Sequence, residues 1–227
     1  MKKKIILIII MGIFITFFIY RKNENHNIYL LALGDGLATG MTAYNVEGYS
    51  YNDYIRDYLE SEHILEKYIS GFAKTNQTVE NLITCVENNY QLEEMNIPIQ
   101  QAFAKAKIIT IGLGLDELAN TSLKTNIPTK EIEDYKKDME HLIKLIRNFN
   151  DKKIYILGLY KAYNITDNEL NSINDHLKNI AMKYKAIYID IQDLVENPQF
   201  FLLNNSYYLN YKGHKEISNR ILRTINN

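Results

Sequence analysis

Cysteine is nearly missing from this chain. Cys85 stands alone among 227 residues, so no disulfide can form within it. Its ordinary reading is a small buried hydrophobe on a helix. Proline and glycine are sparse, at three and ten, and no stretch of either marks a linker, a repeat or a low-complexity boundary. A surplus of one charge is also lacking. Lysine and arginine number 26 against 27 aspartates and glutamates, and no basic stripe points to nucleic acid. No spacing of histidine, cysteine and carboxylate supports a zinc site, so neither a metal nor another cofactor is expected.

What is present begins at the N-terminus. Lys2, Lys3 and Lys4 precede an uncharged run over residues 5–20, closed by Arg21 and Lys22. Those sixteen residues rise about 24 Å as a helix, short of the roughly 30 Å of hydrocarbon, and Arg21 and Lys22 can snorkel to stretch the span. The flanking charge favours the N-terminus inside. The expectation is a single-pass membrane anchor over residues 1–27, in contact with the cell membrane through residues 5–20, with residues 28–227 outside. The rival is a cleaved signal peptide and secretion, although no small-x-small site follows Tyr20. The 200 residues after the anchor suit one domain with a sizeable core. Five basic residues and one acidic residue lie before position 28, which leaves 21 against 26 and a net charge of −5.

The domain alternates strand and helix signals. Strand-like runs cover 28–34, 64–69, 108–113, 153–158 and 186–191; helical spacing covers 49–60, 78–88, 129–149, 167–184 and 213–225. Thr129 and the pair Thr166 and Glu169 read as helix starts, the second as a capping box. Interior strands that are apolar throughout indicate a parallel sheet covered on both faces. In such sheets ligands bind outside the carboxyl ends of the strands, which directs attention to 34–40, 71–78, 112–120, 158–164 and 204–214.

Three of those segments carry a resemblance. Gly34-Asp35-Gly36-Leu37 is similar to the Gly-Asp-Ser-Leu block of the SGNH/GDSL hydrolase family, and Gly48-Tyr49 opens the next helix in the family's manner. The stretch from Ile109 to Leu118 resembles the block carrying Gly-x-Asn-Asp-Leu. The stretch from Tyr208 to His214 resembles a His-Pro-Asn-x-x-Gly-His segment. The resemblance implies an α/β fold: a three-layer α/β/α sandwich, flavodoxin-like, with a parallel sheet of five strands in the order 2-1-3-4-5.

It also implies where the chemistry should be. Gly36 falls at the family's serine, Tyr208 at its histidine and Asn205 at its aspartate; Asp116 and Asn76 fall at the oxyanion asparagine and glycine, with Gly71 nearby as a turn residue. Glycine cannot attack, and tyrosine with an ordinary pKa near 10 is a poor base at neutral pH. The expectation is therefore a domain without intact catalytic residues. It would bind a cell-envelope glycan, an acylated ligand or a protein partner in the old cleft through Asp35, Thr39, Asp116, Asn205, Tyr208 and His214. Two alternatives remain: an esterase or acylhydrolase with unconventional residues, and a purely structural envelope protein. Asp35 is read as a support for the turn, Thr39 as a local hydrogen-bonding residue, and His214 as a residue that caps or packs the last helix. Tyrosines at 44, 49, 51, 54 and 58, and again at 207, 208 and 211, offer apolar faces with polar tips suited to sugar, peptide or protein surfaces.

Overall fold

The apolar run Ile28–Gly34 forms β1, buried along its last five residues. It lies inside the sheet because both of its edges are occupied. The computed structural model describes residues 28–122, 127–162, 165–202 and 207–225. After β1 come a single turn of helix, α1 (Gly36–Thr39), then α2 (Tyr51–Ser61), β2 (Leu65–Ala73) and α3 (Val79–Glu87). A two-stranded hairpin, β3 (Gln91–Leu92) with β4 (Ile97–Pro98), leads into α4 (Ile99–Lys105). The order then runs β5 (Ile108–Gly112), α5 (Leu115–Ser122), α6 (Thr129–Arg147), β6 (Lys153–Leu157), α7 (Asp167–Lys183), β7 (Ile187–Ile189) and α8 (Tyr211–Ile225).

The main sheet has the order β2-β1-β5-β6-β7 with every pairing parallel. Counted along its own five strands, that is the expected 2-1-3-4-5. Helices α2 and α8 pack together over one face, and α3, α6 and α7 cover the other. Five fully buried residues of β5, including Ile109 and Ile111, run through the centre of the core.

Local chemistry explains most helix starts. Thr166 and Glu169 make the expected capping box, and Ser50 with Asp53 makes a second that fixes the start of α2. Thr129 differs: it is the first helical residue, preceded by Pro128, which supplies no side-chain cap. Gly71 is not a turn residue either. It lies within β2, which runs on to Ala73 because β1 pairs with it through Gly34↔Ala73. Among the described residues no helix is long and apolar enough to cross a membrane; residues 5–20, expected to do so, lie outside the described residues.

Candidate active site

The carboxyl ends of β1 and β5 meet where two glycines allow close approach. A Cβ on Gly34 would collide with the Gly112 carbonyl. Asp35 follows immediately, fully buried, and ties the crossing together. Its backbone N–H donates to the Gly112 carbonyl at 3.0 Å. Its carboxylate accepts from Leu37 N at 3.1 Å, Gly114 N at 2.9 Å and Asp116 N at 3.0 Å. Burial first, and then the neighbouring Asp116 charge, push the Asp35 carboxyl up to about 8, against the pull of those three N–H donors. Asp35 is thus enclosed within the loops and shapes both of them.

Asp116, at the first turn of α5, is the centre of the site and is also fully buried. One carboxylate oxygen, Oδ2, accepts from Gly36 N at 2.8 Å and from Asn76 N at 2.8 Å. The other, Oδ1, accepts from the Tyr208 hydroxyl at 2.9 Å, and the Tyr207 hydroxyl lies 3.3 Å away. The two tyrosines also bond to each other at 2.9 Å. One carboxylate therefore joins the turn after β1, the loop after β2 and the segment before α8. Asn76 reaches it in a left-handed conformation, φ 60°, which asparagine tolerates better than most residues.

The space at residue 36 is occupied. A Cβ there would meet Asp116 Oδ2 at 2.8 Å and Tyr208 Cε1 at 2.9 Å. Burial, the hydrogen bond with Tyr207 and the Asp116 charge all push the ionisation of Tyr208 upward, so it stays a phenol. Tyr160 holds the backbone here from below, its hydroxyl donating to the Tyr207 carbonyl at 2.6 Å.

Thr39 lies at the rim. Its hydroxyl is 3.1 Å from the Thr75 hydroxyl, which donates to Glu47 at 2.8 Å. His214 is set apart from the cleft. It is 2% exposed, and its ring stacks on Tyr51 at 6.5 Å between centroids. Neither ring nitrogen has a hydrogen-bond partner. It packs, and the first turn of α8 is instead satisfied by Asn210, which accepts from Lys212 N at 2.8 Å and Gly213 N at 3.3 Å. Asp35, Asp116 and His214 do not converge on a common point, and among the described residues no group of three or more histidine, cysteine or carboxylate side chains is placed to hold a metal. Asn205 lies outside the described residues. Sequence reading had no signal for Glu47, Thr75 or Tyr160 at the site, since each joins it through the fold alone.

The profile of the GDSL-like Lipase/Acylhydrolase family matches residues 30–221. The chain belongs to that family. No curated protein matches it in sequence. Solved structures share the fold. A lipase/acylhydrolase from Enterococcus faecalis is 13% identical with a TM-score of 0.64, over 87% of this chain and 95% of its own. An acetyl xylan esterase is 12% identical with a TM-score of 0.64, over 87% and 100%. A psychrotrophic esterase from Pseudoalteromonas sp. is 17% identical with a TM-score of 0.61, over 87% and 96%. These findings correct one expectation. A domain emptied of enzymatic chemistry was expected, yet the family match runs from β1 into α8, and the folds it shares are those of esterases.

Proposed function

We propose that this chain is a carboxylic-ester hydrolase of the GDSL type working with unconventional residues, with Asp116 as base for an attacking water and the Gly36 and Asn76 amides as the oxyanion site. The observation that carries this reading is the convergence of those two N–H groups, from separate loops, on one oxygen at 2.8 Å each. Two backbone donors aimed at one point are what a developing oxyanion needs. Residue 36 offers no hydroxyl for a covalent intermediate, which leaves water as the attacking group.

In the resting arrangement the Asp116 carboxylate occupies that point itself. Turnover requires it to swing out toward Tyr207 and Tyr208 while the ester carbonyl oxygen takes its place. The exchange gives up two hydrogen bonds to a charged acceptor, each about 1.5–3 kcal/mol, so slow turnover is expected. In the chemical step the water oxygen bonds to the carbonyl carbon and its proton passes to Asp116. The carbonyl electron pair moves onto the oxygen held by the two amides. Collapse then breaks the bond to the alcohol oxygen, which takes the proton back from Asp116.

The test is hydrolysis of p-nitrophenyl acetate by the wild type, Asp116→Asn and Asp116→Ala. General-base catalysis contributes about 10²-fold or more, and both variants should lose that much. A wild type no faster than either variant overturns the reading.

The proposed setting is the outer face of the cytoplasmic membrane, with residues 5–20 as the anchor. The lysines ahead of that run support it. Protease treatment of intact, wall-stripped cells should then release the domain. Resistance, with an external control protein cleaved, counts against it.

A further inference from the structure

We infer that the amino edge of the sheet is a basic face that docks on an anionic phospholipid surface and holds the cleft away from the bilayer. All five strands of the main sheet point one way, so the turns that lead into them gather at the end opposite the cleft. The turn into β5 carries Lys105 and Lys107, and the turn into β6 carries Arg147, Lys152 and Lys153. The turn into β7 carries Lys183 and Lys185. Arg223 joins them from the last turn of α8, where Lys153 Nζ donates to the Thr224 carbonyl at 3.4 Å. Against these eight stand two carboxylates, Asp151 paired with Lys152 and Glu140 paired with Lys183, which leaves a surplus of six. The corner before β2 is acidic, with Glu60, Glu62 and Glu66, and bounds the face on that side.

Helix ends attract basic residues, because the aligned peptide dipoles leave partial negative charge there. That accounts for Lys105, Arg147, Lys183 and Arg223, each in the last turn of its helix. It does not account for Lys107, Lys152, Lys153 and Lys185, which follow the helices. Lys185 takes a left-handed conformation, φ 53°, at a position where glycine or asparagine is the usual choice. Arg147 fastens the face together. Its guanidinium donates to the carbonyls of Asn150 and Lys152 in one turn and of Tyr184 and Lys185 in the next, at 2.7–3.1 Å.

Two apolar side chains stand among these charges, Phe149 at 37% exposed and Met182 at 65%. Exposed apolar groups ringed by lysine suit a headgroup layer, where the ammonium groups meet phosphate and the apolar groups enter the acyl boundary. A soluble polyanion would engage the charge alone. Position agrees. The chain enters the domain at this edge, where Lys107 N donates to the Tyr29 carbonyl at 3.0 Å and Lys105 lies over the Tyr29 ring. Residues 21–27 can span no more than about 24 Å between the proposed anchor and Ile28, which keeps the face within reach of the bilayer. The domain as a whole carries −5, but exposed charges more than about 8 Å apart are largely screened at physiological salt, so the near face decides. Lys212 and Lys215 begin α8 at the opposite edge and take no part. Docked this way, the cleft stands about 20 Å farther out, along the seven residues of β1.

This inference is independent of the ester chemistry; it rests on the proposed anchor only for tethering, and the experiment separates the two. The chain has no tryptophan, so Phe149→Trp and Tyr44→Trp each supply a single reporter, one at each edge. Both full-length variants are floated with vesicles of brominated phosphatidylcholine, alone or mixed equally with brominated phosphatidylglycerol, and their fluorescence is read. Phe149→Trp should be quenched strongly by the mixed vesicles and weakly by phosphatidylcholine alone, and Tyr44→Trp by neither. A basic residue near an anionic surface contributes about fivefold. Adding Lys152→Gln, Lys153→Gln and Lys185→Gln should therefore lower the ratio of docked to free domain about a hundredfold, whereas Lys212→Gln with Lys215→Gln should leave it unchanged. Flotation with phosphatidylcholine alone reads the anchor. Where that fails, flotation with the mixed vesicles reads the face by itself and should show the same dependence on the three lysines. Equal quenching of Phe149→Trp by both vesicles, binding unchanged in the triple-glutamine variant, Tyr44→Trp quenched as much as Phe149→Trp, or tighter binding to soluble polyphosphate than to the mixed vesicles overturns the inference.

Discussion

A Cβ on residue 36 would lie 2.8 Å from Asp116 Oδ2, so the carboxylate and any side chain at 36 compete for one volume. The same oxygen accepts the residue 36 N–H at 2.8 Å. Glycine at 36 and aspartate at 116 are therefore a matched pair, with the Tyr208 ring as the third wall at 2.9 Å. None of the three can be changed without consequence for the other two.

Gly36→Ala should destabilise the fold by about 1–3 kcal/mol, the usual range for overpacking, despite the better helix propensity of alanine. The obstacle is not a loose side-chain end but a carboxylate held in place by several donors. Gly48→Ala is the control, because its new Cβ would meet nothing nearer than 3.4 Å; its stability should stay within about 0.5 kcal/mol of the wild type. Urea unfolding of both variants measures the difference, and equal midpoints would refute the pairing.

The hole that Asp116 fills should accept a free carboxylate once the side chain is removed. Asp116→Ala strands Gly36 N and Asn76 N and removes the acceptor of the Tyr208 hydroxyl proton, costing about 1–3 kcal/mol for each backbone donor that water fails to serve. Formate carries the lost group. It should raise the melting temperature of Asp116→Ala and leave the wild type unchanged, since a ligand stabilises the state that binds it. Chloride at the same ionic strength is the comparison. A formate effect shared by both proteins would show that no such hole exists.

The sheet was legible because its centre is apolar on both faces. Ile28–Gly34 and Ile108–Gly112 read as buried strands from their residues alone. The edge was not legible in the same way. Glu66 and Lys67 interrupt β2, which obscures its continuation to Ala73 and made Gly71 look like a turn. The β3–β4 hairpin is two residues on each side, too short for any periodicity, and α4 hides directly behind it. At the site, Gly36, Asn76, Asp116 and Tyr208 could be named from their segments. Their mutual contacts could not, because the partners are separated by 80, 40 and 92 residues and no local pattern carries such pairings. His214 shows the converse: a histidine in a functional-looking segment that the fold uses as packing.

Acid stability should depend on His214. Burial lowers its pKa from the ordinary 6.5 to about 4. Between those values the unfolded chain binds a proton that the native state refuses, so stability falls as pH drops from about 6.5 to about 4. The full effect is roughly 3 kcal/mol. Asp35 acts with the opposite sign: burial and the Asp116 charge raise its carboxyl above the ordinary range, so its contribution declines as pH rises through the shifted value. His214→Phe isolates the first effect, because neither ring nitrogen gives up a hydrogen bond and the contact with Tyr51 survives. The variant should lose the acid-side decline in a series of urea midpoints from pH 7 to pH 4. An unchanged slope would mean that His214 titrates normally.

Exchanging the matched set should convert the site from water attack to serine attack, and only as a unit. Gly36→Ser alone introduces a Cβ against Asp116 and Tyr208 and leaves the new hydroxyl beside a phenol that stays protonated. It should be less stable than the wild type and no faster on p-nitrophenyl acetate. Adding Tyr208→His supplies a base, and adding Asp116→Asn exchanges the carboxylate in the hole for an amide able to donate to an oxyanion. The triple variant should recover stability relative to the summed single effects, since residues in contact couple by about 0.5–3 kcal/mol. It should also show an acyl-enzyme burst that the wild type lacks, because only the serine route forms a covalent intermediate. Stopped-flow release of p-nitrophenolate, with mass spectrometry of the quenched protein, reads both. A burst in Gly36→Ser alone would show that Asp116 can serve the serine as base without the other two exchanges, and that the set does not act as a unit. Strictly additive stabilities would show that Gly36, Asp116 and Tyr208 do not share one volume.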